Sequence, residues 1–575
     1  MAQVKAYAVT VCLAIALSGF GTQAPAQEAA VPAAGLRAEA AGDFDAAIAI
    51  YEQTASESAR SDLWVRISQI EAVRNHPREA LDAIERAVAL EPDNVEFLRS
   101  RAELASWAGD YERAEDSNRR IGTLTGEPAA ELGLARIAAW RGRTAASIEH
   151  YHAYLRRVPD DSVATIELAR QETWRGNARE ALAVLDGYRE RFGETVDYRI
   201  ERARALVTGD RPRAAIEILD PLVAERPDDY EARLVYTLAL SVAGKRTDAV
   251  SSSDGLARID AANPRTAEVR AFVMAPIRSS VRPRYEFYDD SDDVRHNLVG
   301  VDGGIALSPK TRIVAEGTMT DVSSEPGSGL APLDGDETVR EAGGDLGVVL
   351  NLDGAGELEG RLGGMQVDDD GPELLTWLAS ARLTPADVMG IVVEGERDFL
   401  DVSARSLDLG IERTAGRAAL RVSPAVAWTI EAGGSRESYS DDNGRWEARV
   451  AVIDGVLRRQ LVNVDVGVAS RWQWFDEDLD NGYYDPARYE QHLGVVSTYW
   501  KLDDQAGLSV RGALGAFRDD VIDSFERSSE IAGEATFGIT TDWTLVARAA
   551  WLDNVRSVTG AFNAWGAGLY LTRRF

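Results

Sequence analysis

From about residue 277 onward, apolar side chains recur at every second position in long runs, with full charges in the positions between. No other feature of the chain limits its fold as much. Val462, Val464, Val466, Val468, Trp472 and Trp474 fall on one side of such a run. Asn463, Asp465, Gly467, Ala469, Arg471 and Gln473 fall on the other. Tyr285 and Phe287 alternate with Arg284, Glu286 and Tyr288, and Leu358 and Leu362 with Glu357, Glu359 and Arg361. Ala448, Val450 and Val452 alternate with Glu447 and Arg449, and Leu545 and Ala547 with Thr544 and Arg548. A period of two is the period of a strand. Many runs reach about ten residues, enough for a tilted strand to cross a bilayer. A soluble sandwich buries its apolar residues between sheets and rarely needs so many long strands. A transmembrane β-barrel turns them to lipid and sends polar residues to the lumen. No mature segment holds an unbroken apolar run long enough for a membrane helix.

Turn chemistry separates the strands. Ser308-Pro309-Lys310, Asp353-Gly354-Ala355-Gly356 and Thr384-Pro385-Ala386 predict short turns. Ser323 to Asp336, Asp368 to Pro372, Tyr439 to Gly444 and Asp476 to Tyr489 are mostly acidic, and two of them are longer. Unequal ends are expected of short periplasmic turns and longer outer loops. Sixteen or seventeen candidate strands can be counted. Sixteen is the expectation, because bacterial barrels of this kind close with an even number. In the last run Trp565, Ala567, Leu569 and Leu571 alternate with Gly566, Gly568, Tyr570 and Thr572, up to Phe575. A final amphipathic strand ending in phenylalanine resembles the signal read by the barrel-assembly machinery, which is therefore an expected partner.

The first half repeats with a different period. Glycine and an alanine five positions later recur as Gly42 with Ala47, Gly109 with Ala114, Gly176 with Ala181, Gly209 with Ala214 and Gly244 with Ala249. Asn75 replaces the glycine before Ala80, and Ser147 replaces the alanine after Gly142. The step is about 34 residues, and Pro92, Pro159, Pro227 and Pro264 close several units. Gly42-Asp43-Phe44-Asp45-Ala46-Ala47-Ile48 and Arg78-Glu79-Ala80-Leu81 resemble tetratricopeptide repeats, over about residues 35–265 and roughly seven units. The expected architecture is thus two-domain α + β: a tetratricopeptide α-solenoid at 27–276 and an antiparallel barrel at 277–575. Glycine suits the left-handed residue that ends the first helix, the small alanine lets two helices approach, and stacked pairs leave a concave surface.

Trp107, Trp140 and Trp174 each precede the repeat glycine by two positions, and Arg136 and Arg170 precede it by six. In the resembling family these positions tend to face the groove. Indole and guanidinium groups there could stack on sugar rings or grip a partner's carboxylates. The alternative is that the tryptophans fill gaps between repeats while the arginines are solvated.

Residues 1–26 read as a signal peptide: Lys5, an apolar run from Ala6 to Leu17, then Ala24-Pro25-Ala26. Cys12, the only cysteine, lies inside it, so no disulfide or thiolate metal site is expected in the mature chain. The formal net charge is −31, most of it after residue 276, which argues against a nucleic-acid partner. His150 and His152 are two apart on a helix and make a poor metal pair. The Gly-rich stretches lack a phosphate-loop lysine. Paired acids such as Glu357 and Glu359 read as wall residues rather than glycosidase carboxylates. No enzyme, cofactor or metal is expected.

A secreted tetratricopeptide array ahead of a barrel resembles the exopolysaccharide export porins, above all the poly-β-1,6-N-acetyl-D-glucosamine exporters, and more distantly the cellulose-export component of cellulose synthase. Asp289-Asp290-Ser291-Asp292-Asp293, Tyr439-Ser440-Asp441-Asp442-Asn443 and Asn481-Gly482-Tyr483-Tyr484-Asp485-Pro486 look like loop motifs of that group. The resemblance implies an outer-membrane protein whose periplasmic array receives a polysaccharide, a polymer-modifying enzyme or a synthase complex, and whose barrel passes the polymer. Expected lumen residues are Glu357, Glu359, Glu394, Glu396, Asp398, Glu447, Asp465, Glu530 and Glu534. Their carboxylates would attract a partly deacetylated, cationic poly-N-acetylglucosamine. A surface receptor or an envelope scaffold with a non-conducting barrel fits the same sequence.

Overall fold

A computed structural model describes residues 31–333, 337–459, 461–503, 505–520, 522, 524–556 and 560–575. The expected signal peptide and Cys12 lie outside the described residues. The chain divides into two compact units. One runs to residue 198 without 176–179; the other holds 176–179 and everything from 199 on.

The first unit is built from antiparallel helix pairs. Among the described residues, seven helix pairs run from Ala33–Ala40 to Arg246–Ile259, followed by a single helix, Pro264–Met274. The repeat positions explain the pairs. Gly42, Gly109, Gly142, Gly176 and Gly244 all have positive φ, and Asn75 takes the same left-handed conformation at φ 64°. Asparagine tolerates that region better than most residues. Ala47, Ala80, Ala114 and Ala181 are fully buried. Ser147 is buried too, and its hydroxyl donates to the Ala135 carbonyl at 2.8 Å, so a polar residue fills the alanine position without an orphaned group.

The sixth unit corrects the sequence reading. There Asp210, not Gly209, adopts positive φ (58°), and Ala215, not Ala214, is fully buried. The repeat register is therefore Asp210 with Ala215. Gly209 instead leaves room for Ala178 and Val426, which a Cβ would meet at 3.1 and 3.4 Å. Pro264 also differs from expectation: it opens the last helix, behind the Asn263 cap, rather than closing a unit. Proline is tolerated there because the first N–H groups have no intrahelical partner.

The second unit contains the barrel. Its strands are β1 (Ser280–Asp290), β2 (Arg295–Ala306), β3 (Thr311–Ser323), β4 (Thr338–Asn351), β5 (Gly356–Val367), β6 (Glu373–Ala386), β7 (Met389–Phe399) and β8 (Glu412–Val422). The series continues with β9 (Trp428–Tyr439), β10 (Gly444–Arg458), β11 (Val462–Phe475), β12 (Tyr489–Lys501), β13 (Ala506–Asp519), β14 (Glu526–Gly538), β15 (Trp543–Arg556) and β16 (Gly560–Arg574). Each strand pairs antiparallel with its sequence neighbours, and β16 pairs with β1 to close a sixteen-stranded barrel. The turn expected at Thr384–Ala386 falls at 387–388 instead. β6 runs on to Ala386, with a register shift after Leu383.

Val299, Val301, Leu346, Leu362, Val450, Val468, Leu514 and Leu569 form an exposed apolar surface on the outward register. Trp446 and Trp474, paired across β10 and β11, lie near one rim, and Trp428 and Phe537 near the other. This is the apolar band with aromatic girdles of a membrane-spanning barrel. Among the described residues no helix is long and apolar enough to cross a membrane.

Within this unit the later helices are bonded to the short-turn rim. The Asp387 carboxylate accepts from the backbone N–H groups of Arg213 (2.9 Å) and Ala214 (3.1 Å), at the N-terminus of helix Pro212–Glu225. The Arg213 guanidinium pairs with the same carboxylate at 3.3 Å and donates to the carbonyls of Gly354 and Thr384. Arg211 donates to the Ser423 carbonyl at 2.6 Å. Arg246 pairs with Glu357 at 3.0 Å. Asp387 thus acts as a helix cap supplied from a barrel turn. Asp387→Ala is expected to weaken the start of helix Pro212–Glu225 by about 1–2 kcal/mol. Hydrogen exchange at Arg213 and Ala214 should accelerate about tenfold or more while exchange in the strands stays unchanged; equal acceleration in both would mean a global defect.

Candidate functional site

Register fixes which side chains enter the lumen. Arg284, opposite Gly300 on β2, faces inward, and so does Arg361, opposite Gly347 on β4. Both glycines are required by close approach. A Cβ at Gly347 would meet the Arg361 side chain at 2.6 Å, and one at Gly300 would meet that of Arg284 at 3.0 Å. Each arginine stem lies flat along the wall, and its guanidinium reaches sideways.

The result is a chain of ion pairs around the lumen. Arg284 binds Glu316 at 2.6 Å, and Glu316 binds Arg361 at 2.8 Å. Arg361 also binds Asp345 at 3.3 Å and Glu359 at 2.6 Å. Arg382 bridges Glu359 (3.4 Å) and Glu394 (3.7 Å). Arg417 binds Glu394 at 3.4 Å and also reaches Glu396. Arg413 takes Glu396 at 3.0 Å and Asp398 at 2.6 Å. Farther round, Glu447 meets Arg449 and, at 3.6 Å, Arg471. Asp465 meets Arg458. Glu530 pairs with Arg511 at 3.1 Å and Glu534 with Arg548 at 2.7 Å. The structure therefore places all nine sequence-chosen carboxylates on the inward register, and each has an arginine partner. Glu357 finds its partner outside the strands, in Arg246. The sequence reading took the acids singly. Alternation shows Arg361 beside Glu359 and Arg449 beside Glu447 on one face, but not the pairs that join different strands, such as Arg382 with Glu359 and Arg548 with Glu534.

One stretch of wall is different. Ser497, Ala532, Ala550, Gly566 and Gly568, on β12 and β14–β16, face the lumen with little bulk, and a cavity of about 700 Å³ lies against them. Its rim includes Tyr288, His296, Tyr570 and, from the segment after β7, Asp401.

That segment is a feature the sequence reading missed. Helix Ala404–Asp408 is fixed by a capping box between Ser403 and Ser406. Its Ala404 and Leu407 are fully buried among Val322, Val339, Val367, Leu374 and Phe399, at the long-loop ends of β3–β7. Backbone N–H of Arg405 donates to Leu330 carbonyl at 2.9 Å, and Ser403 donates to the Gly482 carbonyl. The Ser-x-x-Ser pattern is the local signal that could have revealed it.

The two motifs at Tyr439–Asn443 and Asn481–Pro486 meet at the same rim. Asp441 accepts from Tyr483 (2.7 Å) and Asn481 (3.0 Å). Asp485 accepts from the Leu479 N–H (2.7 Å) and Asn443 (3.1 Å).

In the helical array the groove candidates separate. Arg136 pairs with Glu167 at 3.0 Å, and Glu167 also accepts from the Tyr151 hydroxyl at 3.2 Å. Trp140 packs on Tyr111 with ring centroids 6.1 Å apart, against a buried cluster. Arg136 and Trp140 thus engage different neighbours rather than one ligand face. Trp107 is half-buried, and Trp174 is 49% exposed. Arg170 lies near Tyr151.

Residues 65–122 match the tetratricopeptide repeat family model. They are tetratricopeptide repeats. No curated protein matches the chain. Among solved structures, the chain is similar to one described as a bacterial polysaccharide outer membrane secretin, at 13% identity, covering 52% of this chain and 99% of that one, with a TM-score of 0.44. It is also similar to a tetratricopeptide repeat protein from Parabacteroides merdae, at 14% identity, covering 42% and 96%, TM-score 0.35. The pilus biogenesis factor PilW is similar at 18% identity, covering 35% and 94%, TM-score 0.29.

Two outcomes follow from this geometry. Trp140→Ala, which removes a half-buried ring from Tyr111 and the cluster beneath, is expected to cost the array about 1–3 kcal/mol, whereas Trp174→Ala leaves its melting temperature within about a degree or two. Equal melting shifts for the two variants would contradict this assignment. Burial pushes the Asp485 carboxyl up to about 6, and Asp478 and Asp441 add to the rise. A carboxyl raised in the folded state stabilises its loop most below the unfolded value, and that contribution is lost as pH rises through about 6. Segment 476–488 should therefore be cut faster by protease at about pH 7.5 than at about pH 4.5, normalised for protease activity, and Asp485→Asn should flatten the difference.

Proposed function

We propose that this protein carries an exopolysaccharide across the outer membrane. In this reading residues 1–26 direct export, 27–276 form a periplasmic array and 277–575 the barrel. The observation that carries it is the closed sixteen-stranded barrel with an inward cavity walled by small residues, on a chain that also holds tetratricopeptide repeats. A polymer conduit needs room along its wall and many weak, exchangeable contacts, because one tight site would stall the chain. Small side chains supply the room. Fixed arginine–carboxylate pairs supply donors and acceptors at many positions.

The array receives the polymer, a periplasmic enzyme that modifies it or the synthase complex, with Trp107, Trp174 and Arg170 as groove residues. Arg136 and Trp140 serve that groove indirectly, through Glu167 and Tyr111. The nine lumen carboxylates act together with their arginines. Short turns then lie on the periplasmic side, where the helices from residue 199 on are bonded to them. Barrel-assembly machinery inserts the final strand.

Helix Ala404–Asp408, seated among inward-facing residues at the long-loop rim, favours one competing reading: a surface receptor with a non-conducting barrel. Secretion separates the two. Cells lacking the protein are expected to lose surface polysaccharide and retain polymer in the periplasm, with recovery on complementation. Unchanged surface polysaccharide would sink the export reading. Deleting residues 401–410 should raise single-channel conductance several-fold if the segment narrows an open path; a deletion variant that still passes no current would support the receptor.

A further inference from the structure

The charge of the barrel half is not where its sequence suggests. The described residues of segments 291–294, 324–337, 368–372, 400–411, 440–443, 476–488 and 520–525 hold seventeen Asp and Glu against two Arg. The sixteen strands hold twenty-six acidic and twenty-four basic residues. The acidity is a property of one rim. The lumen is close to neutral, through the pairs described above.

We propose that the lumen contains a binding site for an uncharged saccharide segment, seated against the small-residue wall of β12 and β14–β16 and bounded by Tyr288 and Tyr570. The proposal rests on the export reading and names the class of polymer that the conduit takes. The cavity, about 700 Å³, is in the range of pockets that enclose small ligands, about 300–1,000 Å³. Tyr570 is buried, with the guanidinium groups of Arg282 (5.7 Å) and Arg548 (5.0 Å) over its ring, so it closes the cavity wall rather than offering an open face. Tyr288 stands edge-on to His296 at 5.3 Å. A wall with aromatic surface suits the apolar C–H side of a pyranose ring.

Most charged side chains on the rim are answered. Arg548 holds Glu534, Arg511 holds Glu530 and Arg458 holds Asp465, while Glu286, 3.3 Å from Arg284, shares that cation with Glu316. Burial raises the carboxyl of Asp401 toward its neutral form. Such a wall offers both donors and acceptors to hydroxyl and acetamido groups. It offers little net attraction to a polymer that carries charge, because each close pair acts as a dipole whose two Coulomb fields largely oppose each other. A polyanion must in addition pass the acidic rim, which repels it.

The test uses the full chain in planar bilayers, with pentamers of N-acetylglucosamine, glucosamine and galacturonic acid as blockers, and calorimetry with the same three. The neutral pentamer is expected to bind and block at least as well as either charged one. Ala550→Trp, which fills the cavity, should weaken that block about tenfold or more. Arg548→Gln leaves Glu534 without its partner and should shift preference about tenfold toward glucosamine pentamer. Tenfold tighter binding of either charged pentamer to the unaltered protein would overturn the proposal while leaving export intact, as would an Ala550→Trp barrel that is blocked like the parent. A protein that neither conducts nor binds any of the three would overturn the export reading together with it.

Discussion

The hydrogen bonds between β1 and β16 are the constraint on which the rest depends. Ser280 faces Arg574 and Asp290 faces Ala564 across that seam. In hydrocarbon an unpaired backbone group costs several kcal/mol, so a sheet can lie in a membrane only when it has no edge. Once the seam closes, every strand has two partners and the side-chain alternation acquires an absolute meaning. One set of positions meets lipid, and the other meets the lumen. Leu569 and Gly568, adjacent in sequence, become an outer-surface residue and part of a lumen wall.

Closure also decides the chemistry of the interior. Neighbouring strands bring inward residues within a few ångströms of each other, so an acid on one strand finds an arginine on the next or the one beyond. Glu316 on β3 is shared by Arg284 of β1 and Arg361 of β5. Such sharing needs long side chains lying nearly flat, which is why glycines stand opposite these two arginines. The same alternation that puts charges inside therefore leaves little net charge there, and the excess acid is left to the loops. At the other rim, where loops are short, Asp387 and Glu357 hold arginines and a helix N-terminus from the helical half.

Much of this was legible in the sequence. Strand alternation, the count of sixteen and the helical repeat period all follow from local periodicity, and local periodicity survives in any context that buries one face. The inward assignment of Glu357, Glu359, Glu394 and the other acids follows for the same reason. What was not legible depends on distance in sequence. Trp140 and Trp174 occupy equivalent repeat positions, yet Tyr111 covers one while the other is 49% exposed. The shift of the sixth repeat by one residue was hidden because Gly209 looks like the repeat glycine, whereas its role is to leave space for Ala178 and Val426.

The sequence by itself determined the two periods, and with them which residues could face lipid, lumen or helix core. It did so because a strand repeats every two residues and a tetratricopeptide pair about every 34. The tertiary structure alone decided how the charges are answered. Arg361 and Glu316 are 45 positions apart, and Arg246 and Glu357 are 111 apart. No pattern within one strand specifies such pairs; they exist because barrel closure and the helix packed on its rim bring those residues together.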